Sequence, residues 1–279
     1  MSAGPLETPV AFGADHESLL TKGYTVRPFT DPGSLGEIAG VCNDVLGRYG
    51  FAGDLTSYHE RVPDRETHLR VVRSITDALH AGAVLERLFR PERDFIVSLL
   101  GPDVMVQAAP HLRVGRAGEE TDGIGLHRDS FYGSSAYHLN FWFPLAPLPA
   151  GSGIYLAEGT HREPSLRVRD QPFDDSFRST VKRGSLAHGL GFVYQPRTDD
   201  TIAALTPDRL TLVAPPLNSF VVFFGCMVHG GSNAGAWTRW TMDVRFSNMN
   251  DGSAVRPGYF REFSRGVVSR VAQAFAPAA

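Results

Sequence analysis

Cysteine is almost missing from this sequence. Cys42 and Cys226 are the only two in 279 residues, and no Cys-x-x-Cys spacing occurs. A disulfide framework and a thiolate zinc cluster are both excluded, so the fold has to hold by packing. No long hydrophobic run is present either: the longest apolar stretch, Phe220 to Val228, falls far short of the ~20 residues that span a bilayer. The first residues, MSAGPLETPVAFGADHE, lack a charged start followed by an apolar run, so the expected compartment is the cytoplasm, with no membrane partner. Neither sign of charge dominates. Lys and Arg number 27 against 30 Asp and Glu, interspersed, for a net −3, and a nucleic-acid partner held by phosphate neutralisation is disfavoured. Internal repeats and low-complexity runs are absent as well.

What is present is apolar material, 42% of the chain, enough for one large domain or two small ones. The Gly-, Pro- and Ala-rich residues 1–20 read as a flexible arm, and 21–279 as one domain. GYTVRPF at 23–29 alternates as a short strand, and Asp31-Pro32 then offers a helix start, with the helix running to about Arg48. From Asp64 to Leu100, Leu69, Val72, Ile75, Leu79, Val84, Leu85, Leu88, Ile96 and Leu99 recur at three- and four-residue spacing, broken near Gly82 and Pro91. That predicts a helical layer over 30–101.

The second half changes character. Runs at 104–114, 123–132, 136–145, 151–159, 210–215, 219–229 and 238–247 are short, rich in aromatic and β-branched residues, and punctuated by Gly, Pro and Asn. They predict an antiparallel jelly-roll core over 104–248 with the helices packed on one sheet, an α+β fold. The polar stretch 165–209 lacks periodicity and reads as a lid insertion.

His127-Arg128-Asp129 falls inside a predicted strand, where residues two apart share a face, so an imidazole and a carboxylate would project together. His229 closes the apolar strand 219–228 and supplies a further nitrogen donor. Two His and one carboxylate on one face of a metal is the arrangement of non-haem ferrous iron with open positions. Ten residues on, Arg239 opens a strand whose polar face is Arg239, Thr241, Asp243 and Arg245, and whose other face is Trp240, Met242, Val244 and Phe246. A guanidinium there would grip a carboxylate bidentately. Arg245 stands about 20 Å further along the strand, too far to share that task, and is expected to be structural or to pair with Asp243.

On these residues the sequence resembles the Fe(II)/2-oxoglutarate-dependent dioxygenase superfamily, most closely its phytanoyl-CoA dioxygenase-like branch, over roughly 104–248. His127, Asp129 and His229 match the family's metal triad and Arg239 its 2-oxoglutarate arginine. Gly159-Thr160-His161 resembles the branch's Gly-Ser-His turn, and His229-Gly230-Gly231-Ser232-Asn233 its His-Gly-x-x-Asn. The resemblance implies a double-stranded β-helix (jelly-roll, cupin-like) core and Fe(II), 2-oxoglutarate and O2 as cofactor and co-substrates. It further implies decarboxylation to succinate and CO2 coupled to hydrogen abstraction from an unactivated C–H bond. A carboxylate at Asp129, where halogenating relatives carry a small residue, points away from halogenation.

Thr241 is expected to help Arg239 hold the co-substrate. Asn140 and Gln107, facing the same cavity, could reach it or could be satisfied polar core residues. His188, Tyr194 and Arg197 could line the substrate pocket or belong to a solvated loop. His111 is left out of the triad because Arg113 shares its face, and Cys226 is expected to be inert packing. The expected activity is oxygenation, by hydroxylation or oxidative ring closure, of a small polar metabolite in biosynthesis. Asp170, Asp174, Asp175, Asp199 and Asp200 in the lid favour a polar or cationic compound. The rival reading is a cupin-like isomerase or a ligand-binding protein, neither of which needs a carboxylate clamp at Arg239. Oligomeric state is not legible.

Overall fold

The computed structural model describes residues 13–109, 111–171, 197–231, 233–252, 255 and 257–275. Its architecture is mixed helix and antiparallel sheet. Among the described residues, five α-helices lie before residue 101: α1 (Ala14–Thr21), α2 (Gly33–Arg48), α3 (Arg65–Ala81), α4 (Val84–Phe89) and α5 (Arg93–Leu100). The first strand, β1 (Tyr24–Pro28), precedes α2. Side-chain acceptors stand at or just ahead of two of these helix starts. Asp64 Oδ1 accepts from Thr67 N–H at 2.7 Å to cap α3, and Asp31 Oδ1 accepts from Gly33 N–H at 3.0 Å ahead of α2. Helix α1 occupies part of the segment expected to be a loose arm. Leu19 is buried there and Ser18 donates to the Tyr24 carbonyl at 2.7 Å, contacts that the weak apolar pattern of 14–21 did not announce.

The remaining strands are β2 (Val104–Gln107), β3 (His111–Gly115), β4 (Ile124–His127), β5 (His138–Pro144), β6 (Ile154–Ala157), β7 (Arg169–Asp170), β8 (Arg197–Thr198), β9 (Leu210–Val213), β10 (Ser219–Phe224), β11 (His229–Gly231), β12 (Arg239–Asn248) and β13 (Phe260–Ser264). A seven-stranded sheet runs β1-β10-β5-β12-β2-β13, with β3 also on β12, and a four-stranded sheet runs β4-β11-β6-β9. The pairings are antiparallel. Strand β13 and the helix that follows the first six, α7 (Val267–Phe275), were not expected from sequence; α6 is the short Asp200–Ala203.

Alternation along the strands sorts side chains into two cores. Leu139, Phe141 and Phe143 of β5, Phe220 and Val222 of β10, and Trp240, Met242, Val244 and Phe246 of β12 join the helical residues Ile38, Leu46, Val72, Ile75 and Phe89. Trp142, Val221 and Phe223, one residue out of phase, pack instead with Ile154, Leu156, Val213 and Met227 between the two sheets. The even-numbered positions of β5 and the odd-numbered ones of β12 therefore face the inter-sheet space, and there they are largely polar. Phe89 anchors the outer core, its ring within 5.2 to 6.3 Å of those of Phe29, Phe141, Phe143, Phe220 and Phe246.

Two expectations about continuity fail. The apolar run 219–229 is not one strand: it breaks at Gly225-Cys226, and the chain passes from β10 in the large sheet to β11 in the small one. The polar stretch 165–209 carries structure at its ends, since β7 and β8 pair as a ribbon with Arg169 opposite Thr198 and Asp170 opposite Arg197, followed by α6. Among the described residues no helix is long and apolar enough to cross a membrane.

Candidate metal centre

The break after β10 is what delivers His229. As the first residue of β11 it pairs directly with His127, the last residue of β4, so two imidazoles from distant parts of the chain stand side by side with ring centroids 4.3 Å apart. Asp129 is not in that strand, contrary to expectation; it opens a 3-10 turn over Asp129–Tyr132. Arg128 between them keeps extended dihedrals (φ −120°, ψ 137°), so same-side alternation persists for one more residue and the carboxylate still arrives beside the rings. Asp129 Oδ1 lies 3.7 Å from His127 Nε2 and 4.0 Å from His229 Nε2, and the three donor atoms all lie within 4.8 Å of one another. A side chain at Gly225 would crowd this corner: its Cβ would stand 3.2 Å from the His138 ring and 3.4 Å from Asp129 Cβ.

The donor chemistry fits a divalent metal. Each histidine Nδ1 sits 2.8 Å from a carbonyl oxygen two residues back, Gly125 for His127 and Met227 for His229. A carbonyl only accepts, so Nδ1 carries the proton and the Nε2 lone pairs face the shared space. Burial, reinforced by His229, pushes His127 down to about 3, and burial also lowers His229, so both rings are neutral at pH 7. Burial opposes ionisation of Asp129, but the Arg245 guanidinium beside it, together with the surrounding histidines, outweighs that and holds the carboxyl well below the usual range. Two neutral nitrogens and one anionic oxygen are the ligand states a ferrous ion requires.

Comparison with known proteins gives a fold. No protein-family model and no curated protein matches the sequence. Among solved structures, ThoJ, a non-haem monooxygenase in its apo form, gives a TM-score of 0.56 at 16% identity, covering 90% of this chain and 83% of that one. EvdO2 from Micromonospora carbonacea var. aurantiaca gives 0.52 at 15% identity, covering 92% and 97%. The fold is similar to that of a non-haem monooxygenase. At these identities the likeness is one of chain path alone.

The neighbours of the donors are distributed differently from the sequence-based assignment. Arg239 and Thr241 both lie buried on the inner face of β12; Arg239 Nη1 donates to the Gly153 carbonyl at 2.8 Å, and Thr241 Oγ1 is 3.4 Å from the Arg113 carbonyl. A Cβ on Gly231, two residues past His229, would stand 3.0 Å from Arg239 Nη1, so the guanidinium borders the centre. Burial and then the charge of Arg113 push Arg239 down to about 10; an anion at its side would offset both. Arg245 does not pair with Asp243, which is taken by Arg113 at 3.2 Å; it binds Asp129. Asn140 donates to Asp129 Oδ2 at 2.7 Å and Gln107 Oε1 accepts from the Arg245 backbone N–H at 3.2 Å, so both brace the carboxylate and its partner.

Arg197 holds the β8 end in place, donating to the Phe131 carbonyl at 2.6 Å and lying 3.4 Å from Asp170. His188 and Tyr194, with Asp174 and Asp175, lie outside the described residues. The other acidic residues of the stretch 165–209 that the structure describes meet arginines. Asp199 binds Arg128 at 3.0 Å, Asp200 binds Arg169 at 2.9 Å, and Asp170 binds Arg197, which removes their charge as an argument for a cationic substrate. Cys226 is half-buried rather than buried, its thiol 3.7 Å from the His161 carbonyl and its pKa raised by burial. Sequence reasoning missed Arg128. Its side chain leaves the donor face and joins Asp199, the Thr160 carbonyl (2.8 Å) and the Cys226 carbonyl (2.5 Å), tying the loop between the ligands to three other segments. A buried arginine between two ligand candidates carries no periodic signal.

Proposed function

We propose that this protein is a ferrous-iron and 2-oxoglutarate-dependent oxygenase with a double-stranded β-helix core, acting on a small polar metabolite in biosynthesis. The observation that carries the reading is the convergence of His127 Nε2, His229 Nε2 and Asp129 Oδ1 within 4.8 Å, in metal-binding protonation states, in the space between two sheets. The likeness of the chain path to that of ThoJ, a non-haem monooxygenase, supports it. Iron bound here would supply the redox chemistry that O2 activation needs and side chains lack.

The chain's own residues do the rest. The two imidazoles and Asp129 would hold the ion. Arg239, fixed by the Gly153 carbonyl beside Gly231, offers a cation to the far carboxylate of 2-oxoglutarate, and Thr241 lies two residues along the same face. The polar inner positions of β5 and β12 suit a hydrophilic guest better than a lipid. Residues 21–279 are read as one oxygenase domain.

The test is an anaerobic titration of the metal-free protein with Fe(II) and 2-oxoglutarate, following the metal-to-ligand absorption band, and then assay of succinate on admitting O2. Wild type should show the band and form succinate, and His229→Ala should do neither. Arg239→Ala should keep the metal and weaken 2-oxoglutarate by about 2–4 kcal/mol, roughly 30- to 700-fold, the cost of removing one partner from a buried charge pair. Wild type that binds no iron refutes the proposal.

A further inference from the structure

Arg245 stands opposite Asn140 in the β12–β5 ladder, and its guanidinium lies along the Asp129 carboxylate. Nε donates to Oδ2 at 3.1 Å and Nη2 to Oδ1 at 2.8 Å, while Asn140 Nδ2 donates to the same Oδ2 at 2.7 Å. The two carboxylate oxygens are therefore unequal. Oδ1 faces both imidazole Nε2 atoms, whereas Oδ2 is held from two directions by donors of the large sheet. Arg245 is itself fixed on every side: Nη1 contacts the Tyr259 hydroxyl and lies 3.3 Å from His111 Nδ1, its backbone N–H bonds Gln107, and only 8% of it is exposed.

We infer that Arg245, assisted by Asn140, is a positioning residue that makes Asp129 a one-oxygen metal donor. The inference rests on the proposed role of His127, Asp129 and His229 as ligands. A carboxylate can offer a metal one oxygen or two, and the last torsion of aspartate is broad and soft, so nothing intrinsic to the side chain selects between them. Occupying Oδ2 with a guanidinium and an amide selects one. The second oxygen then leaves open a coordination position that a co-substrate or O2 needs. The shape of the fork matters here as well as its charge: arginine presents two parallel N–H groups to two oxygens, which a lysine ammonium at that site cannot reproduce.

The experiment separates fork from charge. Metal-free wild type, Arg245→Lys, Arg245→Met and Asn140→Ala are titrated anaerobically with Co(II), whose visible ligand-field absorption reports coordination number, and each is checked for folding by circular dichroism. Wild type should bind one Co(II). Arg245→Lys should show a weaker, shifted band, as expected when a second carboxylate oxygen enters, with affinity lower by about 10- to 100-fold, the usual effect of losing a ligand's hydrogen-bond partner. Arg245→Met and Asn140→Ala should shift the band in the same direction. A folded Arg245→Lys with the wild-type spectrum and affinity overturns the inference, even if it melts at a lower temperature. Should that variant fail to fold, Asn140→Ala decides by the same criterion. Wild type that binds no Co(II) overturns the ligand assignment and this inference with it, whereas wild-type-like variants overturn this inference alone.

Discussion

Replacing Arg128 by Met keeps the length of the side chain and removes the fork that joins the ligand-bearing loop to Asp199. Both side chains are shut off from solvent, at 1% and 0% exposure, so screening by water does not discount their interaction. Removing one partner of a buried pair leaves the other as an uncompensated charge, which costs about 3–5 kcal/mol. Two carbonyls, of Thr160 and Cys226, lose a charge-assisted donor in addition. Asp199 also accepts from Ile202 N–H at 2.8 Å at the start of α6, and asparagine preserves that capping bond. The double variant Arg128→Met/Asp199→Asn removes the orphaned charge and should recover about 2–3 kcal/mol of the loss. Urea unfolding of wild type, both single variants and the double variant, followed by circular dichroism, gives the cycle. Arg128→Met within about 1 kcal/mol of wild type, or a double variant no better than the single, would refute the reasoning.

Acid should weaken the fold through His68. Burial pushes it down to about 4, and it lies between Tyr58 of the outer core (3.3 Å) and the Asp122 carboxylate (3.9 Å). The unfolded state binds the proton more readily, so this contribution is complete above about 6.5 and is lost as pH falls toward 4, on the order of 3 kcal/mol in all. Stability of His68→Gln should accordingly vary less with pH over that window, and parallel curves for the two proteins would contradict the assignment. At Gly225, alanine should place a methyl 3.2 Å from His138 and displace the Asp129 loop. Metal affinity should drop roughly tenfold with the fold retained, read by Co(II) titration; unchanged affinity would show that the corner has room.

The helical layer was legible because three- and four-residue spacing survives intact in α3, α4 and α5, and the breaks at Gly82 and Pro91 fall between elements. The strands were legible by composition but not by boundary. Nothing in the apolar run at 219–229 distinguishes one strand from two in different sheets, because residues buried on both sides of the Gly225-Cys226 turn look alike. His127, Asp129 and His229 could be named from chemistry and order, and their convergence is a fact of tertiary structure. That Arg245 and Asn140 hold Asp129 was not foreseen, for a geometric reason. Arg245, Asp243 and Asn140 were placed on faces correctly, but a shared face does not say which neighbour across the ladder or across the inter-sheet space takes which hydrogen bond. Arg128 was overlooked because it points away from its neighbours in sequence.

The β7–β8 ribbon fixes the two ends of the segment between Asp170 and Arg197 at one point, beside Phe131 and Arg128. A stretch of chain that leaves and returns through the same clasp behaves as an exchangeable cassette: lengthening it twofold costs only about 0.6 kcal/mol in closure entropy. Evolution, or an engineer, can therefore change the sequence carried between the two strands while the clasp and the metal donors stay as they are.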